Sequence, residues 1–327
     1  MPSVKKKQKE TDELSPVAPA GSPNVSSVSL AVLVPAYNEE RFIGSVVHQA
    51  RWYADLVMVV DDGSSDATAR IAEEAGALLV RHALNRGKSA AINTGFITLK
   101  KIIKRNKKIK AVVMLDGDGQ HRCAEIPRLC APVLAGEADI VVGSRFLGVK
   151  SRIPKWRIFG QHALTLATNL GSGSKLTDSQ SGFRAFSLRA LEQMQFGSEG
   201  FSIESEMQFL AQEDHLKIME APISVIYREP AKRNPVQQGL AVLGGLIKLV
   251  GQYRPLLFFG ISGLFSMILG MALGIYVVER FQVTGQFASG LGMICVLLNV
   301  LGLIMVSTGL ILHSVRGLLS DLLHRGR

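Results

Sequence analysis

Cysteine is scarce: Cys123, Cys130 and Cys295 are the only three in 327 residues, with no CxxC pair and no metal-ligand spacing. That count excludes a disulfide framework and a structural zinc site. Tryptophan is scarcer still, with Trp52 and Trp156 alone. No apolar run opens the chain. It begins MPSVKKKQKETDELSPVAPAGSPNVSS, basic and then rich in Pro, Ser and Ala, so no secretory signal is expected. Two nucleotide-binding signatures are missing as well. No GxGxxG follows the first apolar run, and Asn85-Arg86-Gly87-Lys88-Ser89 lacks the GxxxxGK[ST] spacing. Dinucleotide dehydrogenases and P-loop ATPases are therefore disfavoured. Acidic residues are in deficit, 27 against 37 Lys and Arg, for a formal charge of +10. The excess lies beside apolar segments, where anionic lipid accounts for it, and no nucleic-acid partner is expected.

What the chain does have is apolar mass at one end. Hydrophobic residues make up 47% of it, and its mean hydropathy of +0.22 is high for a chain with 20% charged residues. Residues 256–278 and 288–312 carry no charge at all. Crossing a bilayer takes about 20 apolar residues, so each is long enough for a transmembrane helix, with 279–287 as the loop between them. Residues 236–254 read as an amphipathic helix lying in the membrane interface. Lys248 and Arg254 precede the first span and Arg316, Arg325 and Arg327 follow the second, whereas the loop has only Arg280 beside Glu279. The positive-inside bias puts both termini and everything before the spans in the cytoplasm. Reduced cysteines fit that compartment. Residues 1–27 read as a disordered basic tail whose lysines 5–7 could touch anionic lipid.

Between tail and spans, residues 28–235 alternate short apolar runs with helical stretches. SLAVLVP (29–35), LVMVVD (56–61), ALLVR (77–81), AVVMLD (111–116) and DIVVG (139–143) read as strands. Helices are expected over 39–52, from near Asp66, from about Lys88 and from near Glu125. Continuous apolar strands alternating with helices mean a mostly parallel sheet covered on both faces. Ligands bind such sheets beyond the carboxyl ends of the strands.

The polar motifs fall at those ends. Asp116-Gly117-Asp118-Gly119-Gln120-His121 follows the strand AVVML. Two carboxylates two residues apart can converge on Mg²⁺ or Mn²⁺, which prefer oxygen and leave positions open for phosphates; an Asp/Gly-rich turn is the plainer alternative. Asp61 and Asp62 end the second strand, with Asp66 placed to cap the next helix. Pro35-Ala36-Tyr37-Asn38-Glu39-Glu40 brings an aromatic ring and an acid to the same edge.

Together VPAYNEE (34–40), VVDDGSSDAT (59–68), NRGKSAAINTG (85–95), DGDGQH (116–121), VGSRF (142–146) and SGFRAF (181–186) resemble the family 2 glycosyltransferases of GT-A fold. The C-terminal spans narrow the resemblance to the polyprenyl-phosphate or dolichyl-phosphate glycosyltransferases of the dolichol-phosphate mannose synthase type. The resemblance implies a GT-A domain followed by a two-helix transmembrane hairpin. It implies inverting transfer of a hexose-type sugar from a nucleotide-sugar donor to dolichyl or polyprenyl phosphate at the membrane surface. It implies Mg²⁺ or Mn²⁺ as cofactor and leaves room for a homo-oligomer.

Carried over residue by residue, Pro35, Tyr37, Glu39, Val60 and Asp62 match the positions that hold the nucleoside. Asp116, Gly117 and Asp118 match the donor and metal loop, with Asp118 and Gln120 as direct metal ligands. Arg145 and Arg228 match basic residues that contact phosphates, a task suited to guanidinium forks. Mannose synthases then carry an Arg and, four residues later, a Ser that bind the acceptor phosphate; here Trp156 and Gly160 stand at those positions, and Arg157 or Lys155 could substitute. TDSQSGFR (177–184) and KRNP (232–235) are closer to archaeal relatives using UDP-N-acetylglucosamine or UDP-glucose. GDP-mannose is the alternative donor. A processive polysaccharide synthase is disfavoured because no QxxRW motif exists, and a non-catalytic adaptor because Asp116 and Asp118 are both present.

Overall fold

The computed structural model describes residues 29–105, 107–148, 155–196, 203–226 and 253–325, with 244, 247, 248, 250 and 251; side chains of 155–157, 159 and 319–325 are not among them. The expected tail and most of the expected interfacial helix at 236–254 lie outside this set. The expected strands form, at Ser29–Ala36 (β1), Leu56–Asp61 (β2), Leu78–Arg81 (β3), Ile109–Met114 (β4) and Ile140–Ser144 (β5). Arg184–Ser187 (β6) and Ile218–Pro222 (β7) complete a seven-stranded sheet of order β3-β2-β1-β4-β6-β5-β7. Only β6 is reversed: it pairs antiparallel with β4 and β5, and the other pairings are parallel.

Because side chains alternate along a strand, an all-apolar strand must be covered on both sides. Leu30, Val32 and Val34 of β1 pack with Ile43–Ala50 (α1) and Ile126–Leu134 (α4). Ala31 and Leu33 face Lys88–Arg105 (α3), Leu188–Gln193 (α6) and Ile203–Glu213 (α7). A Cβ on Gly95 of α3 would lie 2.4 Å from Leu33 Cδ1, so a glycine is what lets α3 sit this close to the sheet. Thr68–Glu74 (α2) links β2 to β3. The expected helix over 39–52 is shorter, because Glu39 O accepts from both the Phe42 and Ile43 amides in a turn and α1 starts only at Ile43.

Lys155–Ser172 (α5) is built inside out. Among its described residues the buried side chains are polar, those of Thr165, Thr168 and Ser172, while Leu166 and Leu170 are 61% and 70% exposed. Such a face needs an apolar neighbour.

Two helices follow, Pro255–Thr284 (α8) and Ser289–Arg325 (α9), and both hold candidate membrane spans, Leu256–Thr284 and Ser289–Leu318. Small residues let them meet closely: a Cβ on Gly263 would lie 2.6 Å from Gly302 O, and Ser266 Oγ donates to Leu298 O at 2.8 Å. The expected loop at 279–287 is corrected. Glu279 and Arg280 are helical, and α8 stops only at Gly285, whose φ of 69° forms a left-handed cap. Charge marks where a span leaves hydrocarbon, and a helix can continue beyond that point.

Candidate active site

With β6 alone reversed, Ala36, Asp61, Arg81, Met114 and Ser144 end at one edge of the sheet, where β6 begins with Arg184. The first turn there is knitted across two loops. Asn38 adopts φ 54°, donates its amide to Ser64 Oγ at 2.9 Å and accepts from the Ser65 amide at 3.0 Å. The Glu39 amide donates to Thr68 Oγ1 at 2.8 Å, and Asp66 accepts from the Thr68 amide at 3.0 Å in a turn just before α2, whose N-cap is Ala67 and not the expected Asp66. Tyr37 stands 39% exposed beside this turn, and Pro35 is buried. Val60 is fully buried against Ala31, Leu33 and Met58, so any nucleoside contact there is confined to its backbone.

Asp62 has a task that its motif did not announce. Its Oδ1 accepts from the Arg86 amide at 3.0 Å and lies 2.7 Å from His82 Nδ1, while Oδ2 accepts from the Gly87 amide at 2.7 Å. Asp62 thereby clamps the 85–87 turn, which delivers Lys88. Asp61, also fully buried, accepts from the Ser64 amide at 3.2 Å and faces Arg81 Nε at 3.0 Å. A shallow cavity of about 400 Å³ opens between Gly63, Ser64, Arg81, His82 and Ala83.

At the centre, Lys88 Nζ lies 2.7 Å from Asp116 Oδ1 and 2.7 Å from Glu204 Oε1. Burial opposes charge on Lys88 and Asp116, but their ion pairs outweigh it: Lys88 is held above its ordinary pKa and Asp116 well below the usual carboxylate range. His121 approaches Asp116 from the other side, Nε2 to Oδ2 3.8 Å. A Cβ at Gly182 would sit 2.5 Å from Asp116 Oδ2, so the glycine of SGFR is what brings that segment against the acid. Gly117 is buried against Ala36 and Ile43, and Gly119 takes φ 68° to turn the loop.

Asp118 is the acid that Lys88 does not neutralise. Burial and then the Asp116 charge push its pKa up, and Oδ1 accepts from the Gln120 amide at 3.0 Å. No group of three or more His, Cys, Asp or Glu arranged to hold a metal exists among the described residues. A half-buried carboxylate two residues from the amide side chain of Gln120 suits a hard cation that takes its remaining ligands from a diphosphate. The donor set fits Mg²⁺ or Mn²⁺ on those terms.

Arg145 is engaged within the protein. Its Nε and Nη2 each lie 2.7 Å from the two oxygens of Asp178, a bidentate pair, with Asp178 fully buried. Arg157 lies on α5, with its side chain outside the described residues, and Arg228 lies outside them altogether.

Sequence reasoning missed Lys88, Glu204's partnership with it, and Arg184. A lysine opening a helix is disfavoured by the helix dipole unless something pairs it, and that was the available signal. Arg184 is 1% exposed; Nε donates to Ser181 O at 2.9 Å and Nη2 to Ser179 O at 2.7 Å. Burial lowers its pKa to about 10 against the pull of Glu204, Asp178, Asp116 and Glu220. Around it, Glu220 accepts from the Thr177 and Asp178 amides, Gln208 Nε2 donates to Ser179 O, and Thr168 meets Ser205 at 3.0 Å.

An acidic loop at the strand edge of a GT-A-like α/β fold defines a nucleotide-sugar transferase class, and comparison agrees. The model of glycosyl transferase family 2 matches residues 31–194, and this chain belongs to that family as a glycosyltransferase. A protein of Methanocaldococcus jannaschii is 35% identical over 237 residues, covering 70% of this chain and 93% of its own. UDP-N-acetylglucosamine–dolichyl-phosphate N-acetylglucosaminyltransferase of Methanococcus voltae is 33% identical over 220 residues, 61% of this chain and 86% of its own. Among solved structures, glucosyl-3-phosphoglycerate synthase of Mycobacterium tuberculosis with Mn²⁺, UDP and phosphoglyceric acid superposes with TM-score 0.55 at 22% identity. That match covers 69% of this chain and 80% of the other.

Proposed function

We propose that this glycosyltransferase moves a hexose-type sugar, N-acetylglucosamine or glucose, from a UDP-linked donor to dolichyl or polyprenyl phosphate at the cytoplasmic membrane face. The observation that carries the reading is a juxtaposition within one chain. The Lys88–Asp116–Glu204 cluster shares a domain with α5, whose outer face is apolar and whose end meets the membrane hairpin through Arg254 Nη2 and Ser172 O, 3.5 Å apart. The archaeal relative named for UDP-N-acetylglucosamine and dolichyl phosphate supports the same donor and acceptor.

In this reading Tyr37 offers its ring to the base, and Glu39 and the turn that Asp62 clamps border the nucleoside. Asp116 and Glu204, aligned by Lys88, accept hydrogen bonds from sugar hydroxyls. Asp118 and Gln120 would hold a divalent ion, which when bound stabilises the leaving diphosphate. Arg145, Arg157 and Arg228 are the phosphate contacts of the proposal, with Arg145 oriented by Asp178. The acceptor phosphate attacks the anomeric carbon from the face opposite the diphosphate, so configuration inverts. Both termini lie in the cytoplasm, and the 236–254 segment lies in the interface.

The test incubates the full chain and dolichyl phosphate with labelled UDP-N-acetylglucosamine, UDP-glucose and GDP-mannose. The expected product is a β-linked glycolipid from a UDP donor. Transfer from GDP-mannose alone would move the assignment to mannosyl transfer, and no glycolipid from any donor would overturn the acceptor.

A further inference from the structure

The two ends of α7 touch parts of the molecule with different tasks. In its first turn Glu204 meets Lys88 at the acidic loop. At its last residue Glu213 Oε1 lies 2.9 Å from Arg316 Nη2, and Arg316 belongs to α9, within the second candidate span. Midway, Phe209 is 3% exposed and packs on Tyr253, with ring centroids 5.2 Å apart. The Arg316 guanidinium lies 4.4 Å from the centre of that same tyrosine ring.

These contacts form one unit. An ion pair in water is worth little, but here both side chains are about two-thirds covered, at 29% and 34% exposure, and the guanidinium also has an aromatic face. A Cβ at Gly171 would lie 2.7 Å from Phe209 Cζ and 2.8 Å from Val250 Cγ2, so a glycine lets α5 close over the joint. Eleven helical residues make a strut of roughly 16 Å from the joint to the acidic loop.

We propose that Arg316 is a positioning residue. Through Glu213, Tyr253 and Phe209 it sets the height and tilt of α7, and with it the Glu204–Lys88–Asp116 cluster, relative to the membrane hairpin. The inference rests on the acceptor reading above. A lipid chain confines its phosphate to the headgroup layer, while the soluble domain confines the donor. In-line attack needs those atoms within about 3–3.5 Å. Because the Lys88 ion pairs hold Glu204 and Asp116 together whatever the joint does, a joint that sets the offset between domain and bilayer governs use of the lipid acceptor far more than donor binding.

The test uses the full chain in lipid nanodiscs, as wild type, Arg316→Glu, Arg316→Lys and Arg316→Glu with Glu213→Arg. The first readout is hydrogen exchange. Arg316→Glu should speed exchange over residues 203–213, leave β1–β4 unchanged, and be rescued by the charge swap. The second readout is kinetic. Arg316→Glu should lower kcat/KM for dolichyl phosphate about ten- to a hundredfold, with the donor Kd within about twofold of wild type. Arg316→Lys, which keeps charge but loses the planar stack, should fall between. Unchanged exchange in α7, an equal loss in donor binding, or failure of the swap to rescue exchange would each overturn the proposal. If wild type glycosylates no dolichyl phosphate yet exchange responds as expected, the acceptor reading falls and the joint stands.

Discussion

The two halves of the strand edge that carries the acidic loop are held by different physics. On the β1–β3 side, carboxylates and small polar side chains catch backbone amides a turn or a loop away: Asp62 takes Arg86 and Gly87, Asn38 takes Ser65, and Glu40 takes Ala67. On the β5–β7 side, an arginine, two acids and a row of hydroxyls are buried together between α5 and α7. The first arrangement also buries two carboxylates, Asp61 and Asp62, but answers each with nearby backbone amides, bonds worth about 1.5–3 kcal/mol where the acceptor is charged. The second adds a buried guanidinium, whose removal from water costs several kcal/mol, and it holds only while every member keeps its partner. Lys88 joins the halves, leaving the first on α3 and ending between Asp116 and Glu204. The Lys88–Asp116–Glu204 cluster therefore sits on the boundary between a forgiving half and an unforgiving one.

The largest effect should come from that boundary, and it should separate activity from stability. Asp118→Ala is expected to cost about a thousandfold or more in turnover, because the carboxylate read as a metal ligand is gone. EDTA should do the same to wild type. Stability should move the other way. Burial and Asp116 raise the Asp118 pKa in the folded state, so ionising it costs stability as pH rises from the unfolded value through the folded one. Removing it relieves that cost, and metal-free Asp118→Ala should melt no lower than metal-free wild type at neutral pH. Normal turnover in the variant or in EDTA would end the metal reading.

The unforgiving half predicts a different signature. Arg184→Met leaves the carbonyls of Ser179 and Ser181 without their donor and strips the cation from among Glu204, Asp178, Asp116 and Glu220. Breaking a buried charge network in this way costs about 3–5 kcal/mol. Arg184→Lys keeps the charge but not the fork, and should cost about 1–3 kcal/mol. Thermal unfolding in detergent measures both. Wild-type stability in Arg184→Met would mean that the two halves do not differ in the way described.

That same contrast explains what the sequence could tell. The strands were legible because VLVP, VMVV and AVVM are apolar without interruption, and the acidic loop because its residues are contiguous. The partners of a carboxylate are not written beside it, so nothing in its motif announces that Asp62 clamps a turn 24 and 25 residues away. Arg184 was invisible as a buried residue because arginine is ordinarily exposed. Its network draws on residues from Thr165 to Glu220, with no spacing to betray it. Helix ends near the membrane failed for another reason: the charge of Glu279 and Arg280 interrupts the apolar run, whereas Gly285 marks the limit of the helix.

The smallest effect concerns the acids that border the sugar site. A sugar hydroxyl attacking a glycosyl donor needs a base, and Glu204 and Glu206 on α7 are the nearest challengers for that role. A lipid monophosphate has a second pKa of about 6, so its attacking oxygen is already an anion near neutral pH. Glu204 is occupied by Lys88 at 2.7 Å, and Glu206 is 2% exposed. A base must accept a proton from solvent-linked substrate, and neither environment suits that task. The pH–rate profile at saturating metal should therefore rise through about pH 6 as the acceptor ionises. Glu206→Gln should leave that limb in place. Glu204→Gln should too, with kcat lowered less than about tenfold, because Lys88 keeps Asp116 as a partner and loses one of two anions. Either variant losing several orders of magnitude in kcat with normal donor binding would make its carboxylate the base. An α-linked product from an α-linked donor would refute direct attack altogether, since in-line displacement by the phosphate inverts the anomeric carbon.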